Sequence, residues 1–120
     1  MPNILVVDND EDVRLLLRAL LEGHGHAVTE AEDGEKGIEA TSESTDLIIT
    51  DLQMPKVEGL GLILVLKKRN SELPIIAISG AGQMTGAINT WSGEKTGADD
   101  AYTKPFDHTE MLSAVDRLLA

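Results

Sequence analysis

The sequence predicts an α/β domain in which helices cover both faces of a parallel sheet. Three observations carry that prediction. Short apolar runs rich in β-branched residues recur as NILVV (3–7), DLIIT (46–50) and PIIAI (74–78), without alternation of polar and apolar positions. Continuous apolar strands of this kind are buried on both sides. Helical periodicity fills the intervals between the runs, so strand and helix alternate as in β-α units joined by right-handed crossovers. Third, 42% of the 120 residues are hydrophobic but only one Trp, one Tyr and one Phe are present, which leaves the core to Leu, Ile, Val and Ala.

Each element has its own signal. Residues 3–7 form the first strand, and the acidic stretch DNDED (8–12) follows it directly. Val13, Leu16, Leu17, Leu20 and Leu21 then recur at i, i+3, i+4, i+7 and i+8, which predicts a helix with this inner stripe, stopped by Gly23 and Gly25. HAVTEA (26–31) is more polar and suits an edge strand. A short helix is expected over 35–41, a strand over 46–50 and a helix over 58–69. In that helix Leu60, Leu62, Ile63 and Leu66 face inward, while Leu64 and Val65 point outward, either as scattered exposed apolar residues or as a contact patch for a partner, a neighbouring domain or a second copy in a homodimer. A strand at 74–78, a weakly defined helix within 83–95 and a weaker strand, DAYT (100–103), follow. Asp107 with Glu110 three residues on caps a final helix, Phe106 and Met111 have the spacing of a hydrophobic staple, and Met111, Val115 and Leu118 line its inner side. There is no repeat, low-complexity tract or linker, and the length fits one domain spanning 1–120.

Charge and composition exclude several classes of function. With 21 acidic and ten basic residues the formal net charge is −11, which argues against direct nucleic-acid binding, because phosphate contacts need Lys and Arg. The absence of cysteine removes disulfides and thiolate metal sites. No basic-then-apolar leader opens the sequence, and no apolar run nears the roughly 18 residues of a membrane span, so a soluble, cytoplasmic protein with no membrane partner is expected.

In parallel α/β sheets ligands bind beyond the carboxyl ends of the strands. The residues following the strand runs are Asp8, Asp51, Ser79 and Lys104. Two carboxylates, a hydroxyl and an ammonium at one rim suit phosphoryl transfer to a carboxylate, with Asp51 as nucleophile. Lys104 and Ser79 would then bind phosphoryl oxygens. An all-oxygen ligand set selects Mg²⁺ or Mn²⁺.

The residues VVDNDEDVR (6–14), DLQMPKVEG (51–59), ISG (78–80) and GADDAYTKPF (97–106) together resemble a bacterial two-component response-regulator receiver domain (CheY-like) over essentially the whole chain. The resemblance implies a flavodoxin-like, doubly wound, five-stranded parallel sheet of order 2-1-3-4-5. It makes Asp51 the phosphoacceptor, with Ser79, Gly80 and Lys104 binding phosphate. Asp8, Asn9, Asp51 and the backbone carbonyl of Gln53 would be the metal ligands, and a cis bond before Pro105 would turn Lys104 toward the site. It also implies a sensor histidine kinase or histidine phosphotransfer protein as donor, a downstream effector domain or protein as recipient, and no enzyme activity beyond the domain's own phosphorylation and dephosphorylation.

The match departs from the family pattern at three places. Asn9 stands where a second pocket Asp is usual, and Ala101 stands at the aromatic switch position. Tyr102 is displaced by one residue and should face the other side of its strand. The segment between Ser79 and Gly97 is longer than usual and contains Trp91, so signalling is expected to run through the Ser79 loop and residues 80–96. Competing readings fare worse. A dehalogenase-like phosphohydrolase would need Gly and Thr or Val after Asp8-x-Asp10, where Glu11 and Asp12 stand. A calcium loop would need Gly and Glu where Val13 and Ala19 stand. A pseudo-receiver acting by protein contact alone is the remaining alternative. Asp10, Glu11 and Asp12 are read as helix-terminus carboxylates, and His24, His26 and His108 as surface residues with no metal-binding context.

Overall fold

The computed structural model describes residues 1–52, 59–80 and 98–120. Five strands, β1 (Asn3–Val7), β2 (Ala27–Ala31), β3 (Leu47–Asp51), β4 (Ile75–Gly80) and β5 (Asp100–Lys104), form one sheet of order β2-β1-β3-β4-β5. Every pairing is parallel. The described helices are α1 (Glu11–Gly23), α2 (Gly34–Ala40), α3 (Gly59–Arg69) and α4 (His108–Leu119). The expected α/β architecture, strand order and element sequence are therefore observed, with β1 matching its apolar run and the other strands displaced from theirs by at most two residues at an end. The helix expected within 83–95 lies outside the described residues.

The strand pleat divides the core into two layers. Leu5, Val7, Ile48, Ile75 and Ala77 face α2 and α3, where Leu62, Ile63 and Leu66 meet them. Ile4, Val6, Ile49, Ile76 and Ile78 face α1 and α4, against Leu17, Leu21, Met111 and Val115. Period-two alternation thus persists inside strands that are apolar on both faces. Gly37 lets α2 approach β1 closely, since a Cβ there would lie 3.0 Å from Val7 Cγ2. At the far end of α3, Lys67 Nζ donates to Leu73 O and Asp99 Oδ2, both at 2.8 Å. That Asp99 oxygen also accepts from Ile75 N, which ties the helix to the start of β4.

Two expectations need correction. Leu16, predicted in the inner stripe of α1, is 40% exposed. Leu17 and Leu21, four residues apart, make the buried contact with Val13 beside them, and Leu16 sits about 100° round the helix at the flank of that stripe. His26, predicted at the surface, is buried. Gly25, at φ 93°, turns the chain sharply after α1, and His26 N donates to Leu21 O, which directs the residue inward at the start of β2. Leu64 and Val65 are exposed as expected.

Candidate functional site

The carboxyl ends of β1, β3, β4 and β5 meet at one rim of the sheet. Asp8 follows β1 and is fully buried; Asp51 ends β3 and Ser79 lies near the end of β4, both buried. Lys104 ends β5, paired in register with Gly80. Its ammonium lies 2.8 Å from Asp8 Oδ2 and 3.3 Å from Asp51 Oδ2, so one cation bridges two carboxylates carried on different strands. The contact with Asp51 is a hydrogen bond, whereas Asp8 Oδ2 has an ion-pair distance without hydrogen-bond alignment. The Lys104-Pro105 peptide bond is cis, as the sequence predicted.

Local backbone chemistry fixes Asp8. Its Oδ1 accepts from Asp10 N at 2.8 Å, and its carbonyl accepts from Arg14 Nη1 at 2.6 Å. Arg14 also pairs with Glu30 of β2, so the guanidinium ties the β1 end to the neighbouring strand. Asp10 is turned away from the pocket: it is the N-cap of α1 and accepts from Asp12 N at 2.9 Å. The crowding in DNDED is thereby divided between the Lys104 ammonium at Asp8 and the helix N-terminus at residues 10–12. Asn9 is exposed between them. Gln53 lies outside the described residues. Thr50, buried beside the site, donates its hydroxyl to the Asp51 carbonyl at 3.0 Å.

Burial raises the Asp8 carboxyl above its ordinary value, against the lowering effect of Lys104 and the Asp10 N–H; the charge of Asp51 adds to the rise. Burial alone would depress the Lys104 ammonium. The close ion pair with Asp8 and the charge of Asp51 outweigh it and leave Lys104 above its usual range. Two carboxylates that share one ammonium in a largely buried rim are set up to accept additional positive charge.

Tyr102 faces the layer shared with α1 and α4, as its displacement by one residue requires, and its hydroxyl donates to Asp100 Oδ2 at 3.0 Å. Ala101 is exposed at the position the family gives to an aromatic. The role of Arg14 at the Asp8 carbonyl was not anticipated from the sequence, where an Arg one turn into a helix has no distinguishing pattern.

The open five-stranded parallel sheet thus carries an acid pair and a lysine together at its carboxyl rim. The chain belongs to the response regulator receiver domain family, whose model matches residues 4–116. Among curated proteins it is 39% identical to the DNA-binding dual master transcriptional regulator RpaA of Synechocystis, over 99% of this chain and 49% of RpaA. It is 33% identical to the transcriptional regulatory protein CpxR of Escherichia coli, over 99% of this chain and 50% of CpxR. The chain thus spans about half the length of these relatives. Among solved structures, a response regulator receiver domain protein from Clostridium thermocellum superposes with a TM-score of 0.87 at 27% identity, covering 99% of this chain and 94% of that one. The response regulator TrrA from Thermotoga maritima, in complex with Mg(2+)-BeF, gives 0.84 at 28% identity, covering 99% and 100%.

Proposed function

We propose that this domain accepts a phosphoryl group on Asp51 from the phosphohistidine of a sensor histidine kinase or histidine phosphotransfer protein. The observation that carries the reading is Lys104 Nζ bridging Asp8 and Asp51 at the rim where Ser79 lies near the end of the intervening strand. An Asp51 carboxylate oxygen attacks phosphorus, the P–N bond to the donor imidazole breaks, and the imidazole leaves with the bonding pair. Lys104 and Ser79, with the backbone at Gly80, bind the phosphoryl oxygens in the product.

The donor set fits a hard divalent ion. Asp8 Oδ2 is buried without an aligned hydrogen bond, and every candidate ligand is oxygen. Asp8, Asn9, Asp51 and the Gln53 carbonyl would hold Mg²⁺ or Mn²⁺. When bound, the ion neutralises phosphoryl charge. TrrA, solved with Mg(2+)-BeF, supports this assignment by similarity. The acylphosphate then alters a protein-contact surface read by an effector domain or protein, as the transcriptional-regulator relatives suggest. Beyond forming and losing its own acylphosphate the domain turns over no substrate, and it acts in the cytoplasm.

Incubation with Mg²⁺ and a small phosphodonor, followed by intact-mass measurement, tests the reading. One phosphate adduct that requires Mg²⁺ and is lost in Asp51→Asn is expected. No adduct would leave the domain as a contact-only pseudo-receiver and overturn the proposal.

A further inference from the structure

The amino-terminal end of the sheet carries a second cluster of ligating side chains, unrelated to the acid pocket. His24 caps the carboxyl end of α1, Gly25 turns the chain, and His26 enters β2. Asp116 of α4 faces them. His24 Nε2 lies 3.0 Å and 3.1 Å from the two Asp116 oxygens, and the two imidazole rings have centroids 5.7 Å apart. One potential ligand atom from each of His24, His26 and Asp116 falls within a 4.8 Å span, the one such group among the described residues.

His26 gives the cluster its direction. The residue is 8% exposed, yet neither Nδ1 nor Nε2 has a hydrogen-bond partner. A buried imidazole with both nitrogens unsatisfied is costly to retain as packing alone. A metal ion at one nitrogen would offset that cost. We propose that His24, His26 and Asp116 form a metal site of two imidazoles and one carboxylate for a divalent transition ion of the Zn²⁺ class. Imidazole selects such ions over Mg²⁺, so the two ends of the sheet would hold chemically distinct metals.

The geometry permits it with small movements. Tetrahedral Zn²⁺ with bonds of about 2.0–2.1 Å places its ligand atoms about 3.3 Å apart. His26 is the fixed post, while the side chains of His24 and Asp116, paired with each other, are 40% and 57% exposed. Burial, then the neighbouring His24, pulls the His26 imidazole below its ordinary value against the charge of Asp116. A water would complete the fourth position. Metal bound here cross-links the end of α1 and the start of β2 to α4.

The test is Zn²⁺ titration of the full, tag-free, metal-stripped chain against a chromophoric chelator, with excess Mg²⁺ to occupy the acid pocket. One saturable equivalent is expected, weakened at least ten-fold in His24→Ala and in Asp116→Ala and unchanged in Asp8→Asn. Both weakening substitutions are at exposed side chains and leave the buried His26 in place. Zn²⁺ should also shift the ring nitrogen resonances of His24 and His26 but not those of His108. Absence of saturable binding, undiminished binding in both weakened variants, or loss of binding in Asp8→Asn would each overturn the proposal. None of these outcomes depends on whether Asp51 is phosphorylated.

Discussion

Replacing Lys104 with Met removes the ammonium and keeps most of the apolar stem, which isolates the charge from the packing. At an effective dielectric near 20, contacts of 2.8 Å and 3.3 Å correspond to gross attractions of about 6 and about 5 kcal/mol. Taking Lys104 out of water opposes these by several kcal/mol, and breaking a buried pair at one partner costs about 3–5 kcal/mol. Lys104 is 22% exposed, so some screening remains. A loss of about 2–4 kcal/mol is expected at pH 7.5 without metal, or roughly 3–5 °C of melting temperature per kcal/mol for a chain of this length.

The pH dependence identifies the cause. Asp8 already titrates above its ordinary value in the folded protein, so protonating it favours the folded state, and that contribution is lost as pH rises through the raised value. Without the ammonium the folded value rises further. The deficit of Lys104→Met should therefore shrink as pH falls from neutral toward the ordinary carboxyl value of 3.8. Urea unfolding of both proteins between pH 7.5 and 4.5 measures this. A deficit of the same size across the range would mean that the stem's packing, not the charge, was lost, and a deficit under about 1 kcal/mol would refute the bridging role itself.

Asn9→Asp should tighten Mg²⁺ binding several-fold and speed phosphorylation of Asp51, because one added unit charge near a divalent ion is worth on the order of 1–4 kcal/mol in partly solvated surroundings. Asp10→Asn, whose side chain faces α1, should change affinity far less, as isothermal titration of both variants would show. Gly37→Ala should destabilise the protein by roughly 1–2 kcal/mol in thermal or urea unfolding, although Ala is better in a helix than Gly by about 1 kcal/mol. Its Cβ would meet the branched, fully buried Val7 at 3.0 and 3.2 Å, and a stabilised variant would show that β1 yields.

The sheet was legible because its strands are apolar without alternation and its helices carry caps or stripes. Asp107 caps α4 by accepting from Glu110 N, as the spacing predicted. The rim residues were legible for a related reason, since each follows a strand run directly. What could not be read were contacts that depend on two elements meeting. Lys67 looks like one of three basic residues ending α3, yet it alone reaches Leu73 and Asp99. His26 looks like a polar residue at a strand edge. The Gly25 turn directs it inward, beside Asp116 of α4.

The same distinction bears on how the rim would respond to phosphorylation. In the unphosphorylated protein the ammonium of Lys104 is committed to two carboxylates, and an acylphosphate at Asp51 would exchange one of them for phosphoryl oxygens. Asp8 does not depend on that contact for its position, because its Oδ1 is held independently by Asp10 N. Lys104 can therefore turn toward the phosphoryl group without releasing Asp8 from its place at the end of β1. With Ala101 in place of an aromatic and Tyr102 packed on the opposite face, β5 offers no ring at that position to report the exchange. If Asp51 is phosphorylated as proposed, the exchange would have to be reported through Ser79 and β4. A state change carried through β4 would reach a different surface from one carried by an aromatic on β5, so the effector should recognise the β4 side of the rim.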